Sequence, residues 1–235
     1  MNKIGRYKKD SDYSYCLGPF PSMELIEKRP DLVRLVYISE DFNEKDSLVE
    51  KLDYLNIPYD FSEKSLNRLA DKNREYVIAV FKKEESYLKS GSHVILDGVD
   101  NMGNLGTIMR SMLAFGYNDL ALIGSTCDHY NPKVIRASMG AFFRLRVQKF
   151  KSLADYQRVF TENKIYSFLL NDRARGLSQT NFEEPYSLAF GNEGAGLSKD
   201  FFVQRAVYIE QSSEVDSLNL PMAATIALYK TRRNK

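Results

Sequence analysis

Asn104, Arg110, Glu193, Ser217 and Asn219 are the residues of this chain whose types and settings suit chemistry. They fall in three stretches far apart in the chain. In residues 96–116, LDGVDNMGNLGTIMRSMLAFG, the glycines Gly98, Gly103 and Gly106 let the backbone turn sharply into a helix. Asn104 stands at the mouth of that helix and Arg110 lies further along it, flanked by apolar Ile108, Leu113 and Ala114. A guanidinium so placed must find an anion or extend to water. In residues 188–198, LAFGNEGAGLS, Gly191, Gly194 and Gly196 follow an apolar strand. They leave backbone N–H and C=O groups bare enough to clasp a small polar ligand, with Asn192 and Glu193 among them. In residues 207–229 a polar loop carrying Ser217, Leu218 and Asn219 is pinned between an apolar strand ending at Ile209 and an apolar helix. Plain alternatives stand beside each reading. Ser217 suits a helix cap, Asn104 and Asn219 suit loop or cap hydrogen bonds, and Glu193 suits a solvated turn.

The elements that must hold these loops alternate along the chain. Strand patterns at 94–96, 120–123, 145–147, 165–170, 188–190 and 206–209 are separated by helix patterns at 104–115, 132–142 and 152–161. A last helix opens at Leu220-Pro221, with proline in the first turn, where its missing N–H costs nothing. Such alternation implies a parallel sheet covered on both faces, with ligands at the carboxyl ends of the strands. Residues 17–81 form a smaller α/β pattern, with strands expected at 32–39, 57–61 and 76–81 and a helix capped by Ser62. The charged, aperiodic stretch after it reads as a linker. The expected organisation is a first domain at 1–85, a linker at 86–92 and a second domain at 93–235.

Composition narrows the class further. The chain has 235 residues, 43% of them hydrophobic, which is enough for a sizeable core. Its formal net charge of +2 neither demands nor excludes a nucleic-acid partner. No apolar run is long enough to span a membrane, and the first residues lack the apolar middle of a signal peptide. Cys16 and Cys127 are far apart and read as free thiols of a reducing compartment, so a cytoplasmic location is expected. Cys127 and His129 offer too few ligands for a metal site, and none is expected. A dinucleotide site is disfavoured because G-x-G-x-x-G is absent.

Taken in order, GNLGTIMRS, FGNEGAGLS and SLN leading into an Ala-rich helix resemble the motifs of SpoU (TrmH) RNA ribose 2′-O-methyltransferases, a branch of the SPOUT superfamily. The stretch NPKVIRASMGAFF is similar to the segment between the family's first two motifs, and the likeness spans about residues 92–232. It implies a SPOUT α/β domain with a C-terminal trefoil knot, which periodicity alone would never suggest. It implies a small α/β substrate-binding domain before it, similar to a ribosomal RNA-binding protein. It also implies S-adenosylmethionine as cofactor, structured RNA (ribosomal or transfer) as partner, and a homodimer. Gly191, Asn192, Gly194, Ile209 and Leu218 match the cofactor-binding positions, with Ile209 and Leu218 packing on the adenine. Arg110 matches the arginine that activates the 2′-hydroxyl, and Asn104, Glu193, Ser217 and Asn219 match the polar residues around it. The alternative is an RNA-binding or assembly protein that keeps the fold without turnover. A donor-binding sensor is a third option, and the intact polar set disfavours both.

The chain departs from the family pattern twice. Asn101-Met102 stand where Asp-Pro is common, and Ile209-Glu210-Gln211 stand where Ile-Pro-Met is common, which places a negative charge near the pocket rim. Candidate phosphate contacts are Lys8, Lys9, Lys28, Arg29 and Arg34 in the first unit. In the second they are Lys133, Arg136 and the tail Lys230, Arg232 and Arg233.

Overall fold

The computed structural model describes residues 4–71, 74–170 and 174–232. The chain runs β1 (Tyr13–Leu17), α1 (Pro19–Lys28), β2 (Val33–Ile38), α2 (Lys45–Tyr54), β3 (Tyr59–Phe61), α3 (Glu63–Leu69) and β4 (Val77–Lys82). It continues β5 (His93–Asp97), α4 (Met102–Ala114), β6 (Asp119–Ile123), α5 (Pro132–Ala137), β7 (Arg146–Phe150), α6 (Leu153–Val159) and β8 (Lys164–Phe168). It ends β9 (Arg175–Gly176), β10 (Tyr186–Phe190), β11 (Arg205–Tyr208) and α7 (Leu220–Lys230). Two compact units result, one reaching to Glu84 and taking in Asp128–Arg144, the other Glu85–Cys127 with the chain from Leu145.

The first unit is a sheet of order β1-β4-β2-β3, with β4 antiparallel to both neighbours and β2 parallel to β3. Tyr15, Leu17, Tyr37, Leu66, Leu69, Ile78 and Val80 form its core. β1 is not legible in the sequence: YSYCL is five residues long, and its apolar alternation is masked by tyrosines. Residues 132–142 were expected as one helix of the second domain. Instead α5 stops at Ala137, Met139 (φ 48°) and Gly140 (φ 80°) turn the chain, and α5 packs on β1 of the first unit. Ser14 Oγ donates to the Tyr130 carbonyl at 2.6 Å just before it.

The second unit has the expected parallel sheet, seven strands in the order β7-β6-β5-β10-β8-β11-β9. β10, entered late in the chain, slots between β5 and β8, so the order reverses beside β5. In parallel sheets the crevice outside the carboxyl ends at such a reversal is the usual ligand site. Ile95, Ala121, Ile165, Ala189, Leu197 and Phe201 are part of one core cluster against this sheet. Below them runs a buried polar chain. His93 Nε2 lies 2.7 Å from the Lys89 carbonyl, which can only accept, so this nitrogen carries a proton. With Nδ1 as acceptor the donors run one way: Asn163 Nδ2 to Ser187 Oγ (2.9 Å), Ser187 to Tyr156 (2.7 Å), Tyr156 to His93 (2.6 Å). Residues 86–92, expected as a linker, dock on this unit. Ser86 bonds both backbone groups of Val147, Leu88 N–H donates to Gln148 Oε1, and Leu88 is buried.

Candidate active site

The loops after β5, β10 and β11 leave the same edge of the parallel sheet. α4 starts at the first of them. Asn101 is its N-cap, accepting from the amides of Gly103 (2.9 Å) and Asn104 (3.1 Å) through Oδ1. At this cap Asn101 does what an aspartate can do. Leu105, Ile108, Met109 and Met112 bury one face of α4, and Gly103, Thr107 and Arg110 are exposed on the other.

The second loop is built by its own asparagine. Asn192 and Gly196 exchange two backbone hydrogen bonds, at 3.0 and 2.8 Å. Asn192 Oδ1 accepts from the amides of Gly194 (2.9 Å) and Ala195 (3.1 Å), while its Nδ2 donates to the Gly98 carbonyl at 3.0 Å. Asp97 Oδ2 takes the Ser198 amide at 2.7 Å and closes the loop's far end. The side chain of Asn192 is therefore spent on holding the loop, and so are the amides of Asn192, Gly194, Ala195 and Gly196. A Cβ on Gly191 would lie 2.2 Å from Gly196 C and Leu197 N, so only glycine lets the two limbs of the loop pass.

In the third loop, Ile209 and Gln211 face inward and Glu210 does not. Its carboxylate accepts the Ser178 amide (3.0 Å) and the Ser178 hydroxyl, and the hydroxyl bond holds it below the usual carboxylate range. The negative charge expected at the pocket rim is thus engaged elsewhere. Asn219 opens α7 through its carbonyl, which accepts from Ala223 N–H at 3.0 Å, but its side chain makes no cap bond.

The second and third loops, with the ends of β8, β10 and β11, enclose a cavity of about 630 Å³, and no residue of the first loop lines it. Gly191, Asn192, Glu193, Ile209, Ser217, Leu218 and Asn219 all line it. Its apolar wall includes Phe168 and Phe190, stacked with ring centroids 4.6 Å apart, and Leu169. Nothing in the sequence marks these wall residues, because they belong to ordinary apolar strands. Gly194 sits in the same loop but off the cavity wall. Asn104 joins from α4, its Nδ2 donating to Glu193 Oε1. Arg110 lies outside the cavity. It is exposed on α4, and among the described residues it has no carboxylate partner.

The candidate cations separate by partner. Arg29 is held by Asp31 (2.8 Å) and Glu84 (2.5 Å), Arg34 by Asp12 (2.8 Å), Lys133 by Asp71 (3.2 Å) and Arg136 by Glu75 (2.8 Å). Lys8, Lys9 and Lys28 have no such ion pair among the described residues, and Arg232 stacks on Tyr229 at 4.5 Å. Arg233 lies outside the described residues. Among the described residues no helix is long and apolar enough to cross a membrane, and no cluster of three His, Cys, Asp or Glu could hold a metal ion.

The profile of the SpoU rRNA Methylase family matches residues 91–229, which takes in all three loops and every strand of the seven-stranded sheet. The chain belongs to the SpoU rRNA methylase family. Among its relatives, a 23S rRNA (guanosine(2553)-2′-O)-methyltransferase of Bacillus subtilis is 30% identical over 67% of this chain and 65% of its own. A 23S rRNA (uridine(2479)-2′-O)-methyltransferase of Streptomyces viridochromogenes is 31% identical over 60% of this chain and 52% of its own. The chain thus spans less than two thirds of the length of these curated relatives. Two solved methyltransferase structures share the fold. The methyltransferase AviRb of S. viridochromogenes with AdoMet superposes with a TM-score of 0.80 at 23% identity, covering 93% of this chain and 89% of its own. An AdoMet-bound rRNA methyltransferase of Sinorhizobium meliloti gives 0.78 at 22% identity, covering 93% and 86%.

Proposed function

We propose that this SpoU-family chain methylates a ribose 2′-hydroxyl of structured RNA from S-adenosylmethionine, with ribosomal RNA favoured over transfer RNA. The second and third motif loops line one cavity at the carboxyl ends of β8, β10 and β11, and Asn104 of the first is bonded to Glu193 on its wall; that arrangement carries this reading. The residues fit the donor. A cavity of about 630 Å³ is of ligand size, its second loop is held in a fixed shape by its own hydrogen bonds, and Ile209 and Leu218 offer apolar faces to a purine. When bound, the donor supplies an electrophilic methyl on a sulfonium.

The remaining work is positioning and proton handling by the chain. A guanidinium stays charged, so Arg110 fixes a phosphate and lowers the cost of the 2′-alkoxide, while the hydroxyl proton passes to water as the methyl leaves the sulfonium and bonds to the oxygen. Asn104 and Glu193 hold α4 to the second loop, and Ser217 and Asn219 turn free polar groups toward the ribose. The exposed place of Arg110, outside its own cavity, supports a homodimer in which it serves the partner's site. Exposed Met222, Ile226 and Tyr229 on α7, which packs on α4, supply an apolar face for that pairing. The return of the chain from β11, between β8 and β9, to α7 on α4 supports a trefoil knot. The first unit is read as the RNA-binding domain, with Lys8, Lys9 and Lys28, which have no ion pair among the described residues, as phosphate contacts, and the site of action as the cytoplasm. The test is tritiated methyl transfer to unmodified total RNA, with mapping of the labelled ribose. Wild-type protein transfers label to a 2′-oxygen, and Arg110→Ala keeps donor binding but loses transfer. Label on a base, or no donor binding by the wild type, overturns the reading.

A further inference from the structure

Glu210 stands between two residues that face the cavity, yet points away from it. Tyr208, Ile209 and Gln211 line the cavity and Glu210 does not. The carboxylate reaches instead to the single helical turn Leu177–Gln179, which follows β9, the last strand of the sheet. There the Ser178 amide donates to Oε1 at 3.0 Å and more weakly to Oε2 at 3.4 Å, and the Ser178 hydroxyl donates to Oε1. An N–H in the first turn of a helix has no partner within the helix, so a carboxylate satisfies it. The neighbouring backbone makes room for the clasp. A Cβ on Gly176 would lie 2.5 Å from Glu210 Oε1 and 3.1 Å from its Cδ. Gly176 has φ −60° and ψ 139°, a conformation open to any residue, so the backbone itself does not require glycine here.

β9 is two residues long and, among the described residues, pairs only with β11, through Val207↔Arg175 and Tyr208↔Gly176. So short an edge strand fixes the cavity's outer wall weakly. Gln211 completes the arrangement on the inner side, its Nε2 donating to the carbonyls of Val215 (3.3 Å) and Asp216 (3.4 Å), which turns the loop back to Ser217 and Leu218.

We propose that Glu210 is a positioning residue: by clasping Ser178 beside Gly176 it holds the loop after β11 in the shape that receives the methyl donor. This rests on the donor-binding reading above. It assigns a task to the two residues at which this chain departs from the third motif's usual pattern.

The test is calorimetric titration with S-adenosylmethionine, with methyl transfer to total RNA at varied donor concentration and thermal unfolding of each variant. Glu210→Ala is expected to weaken donor affinity by about tenfold, raising KM for the donor while kcat stays within about twofold. Glu210→Gln keeps an oxygen for Ser178 and is expected to stay within about threefold of wild type. Gly176→Ala displaces the carboxylate and is expected to weaken binding as Glu210→Ala does. The double variant is expected to be no worse than Glu210→Ala alone, because the added methyl then meets nothing. Should Glu210→Ala unfold, the Gly176→Ala and Glu210→Gln results decide the matter. Affinity in Glu210→Ala within about twofold of wild type, or additive losses in the double variant, overturns the clasp. A wild type that binds no donor overturns the proposed function instead, and this inference with it.

Discussion

A Cβ on Gly191 would run into the peptide group joining Gly196 to Leu197, 2.2 Å from Gly196 C and from Leu197 N, with no flexible side chain to yield. The backbone can move aside only by opening the Asn192–Gly196 pair that shapes the cavity wall. Gly191→Ala is therefore expected to cost about 1–3 kcal/mol, as overpacking does, and to abolish donor binding. A thermal melt and a titration check both. Glu75 is a second residue whose setting dictates an outcome. It is 4% exposed, and burial holds its carboxyl above the usual 4.5 although Arg136 stands 2.8 Å away and pulls the other way. A raised value means the fold favours the proton. The stability contributed is full below pH 4.5 and is lost as pH rises through the folded value. From pH 4.5 toward neutrality the urea midpoint of the wild type should fall relative to that of Glu75→Gln. Parallel curves would contradict the assignment.

Among the elements, α7 has most to hold in place, since its first turn meets the cavity and its last turn meets the rest of the unit. Along its length Ser111 and Thr225 share a hydrogen bond at 2.8 Å, and Phe115 meets Tyr229 edge-on at 5.8 Å. At its end Tyr117 and Tyr186, both buried and 2.7 Å apart, converge on Thr231. Tyr117 reaches Thr231 Oγ1 at 2.7 Å, and Tyr186 donates to the Thr231 carbonyl at 3.1 Å. Tyr117→Phe removes a hydroxyl from this cluster while Tyr186 keeps the Thr231 carbonyl and Thr231 Oγ1 keeps the Ala227 carbonyl, and is expected to cost about 0.5–1.5 kcal/mol. Amide exchange in the last turn of α7 should quicken, while the amides of β5 and β6 change only as global stability does. An unchanged last turn would show that the apolar contacts hold the helix without this pin.

For the whole molecule the expectation is a homodimer joined through the exposed stripe of α7. Met222, Ile226 and Tyr229 are 62%, 40% and 56% exposed and recur at helical spacing on one face. Ile226→Glu places a charge on that face and should turn a dimer into a monomer with its melting temperature little changed, because the residue is not part of the core. Sedimentation of wild type and variant decides. A wild type that sediments as a monomer removes both the dimer and the role in the partner's site proposed for Arg110.

How much could be read beforehand differs from residue to residue. The alternation of strand and helix, the parallel sheet and the three loops that share its carboxyl edge follow from the sequence, because periodicity and glycine content act on backbone a few residues at a time. Gly191 was legible as a loop glycine for the same reason. Tertiary structure alone decided the partners. Asn104 meets Glu193 across 89 positions, Glu210 turns to Ser178 across 32, and Asn192 spends its side chain on Gly98 across 94. It also freed Lys8 while pairing Arg29, moved α5 to the first unit and left Arg110 outside the cavity. A side chain's partner depends on which distant residues the packed sheet brings beside it, and no local pattern carries that information.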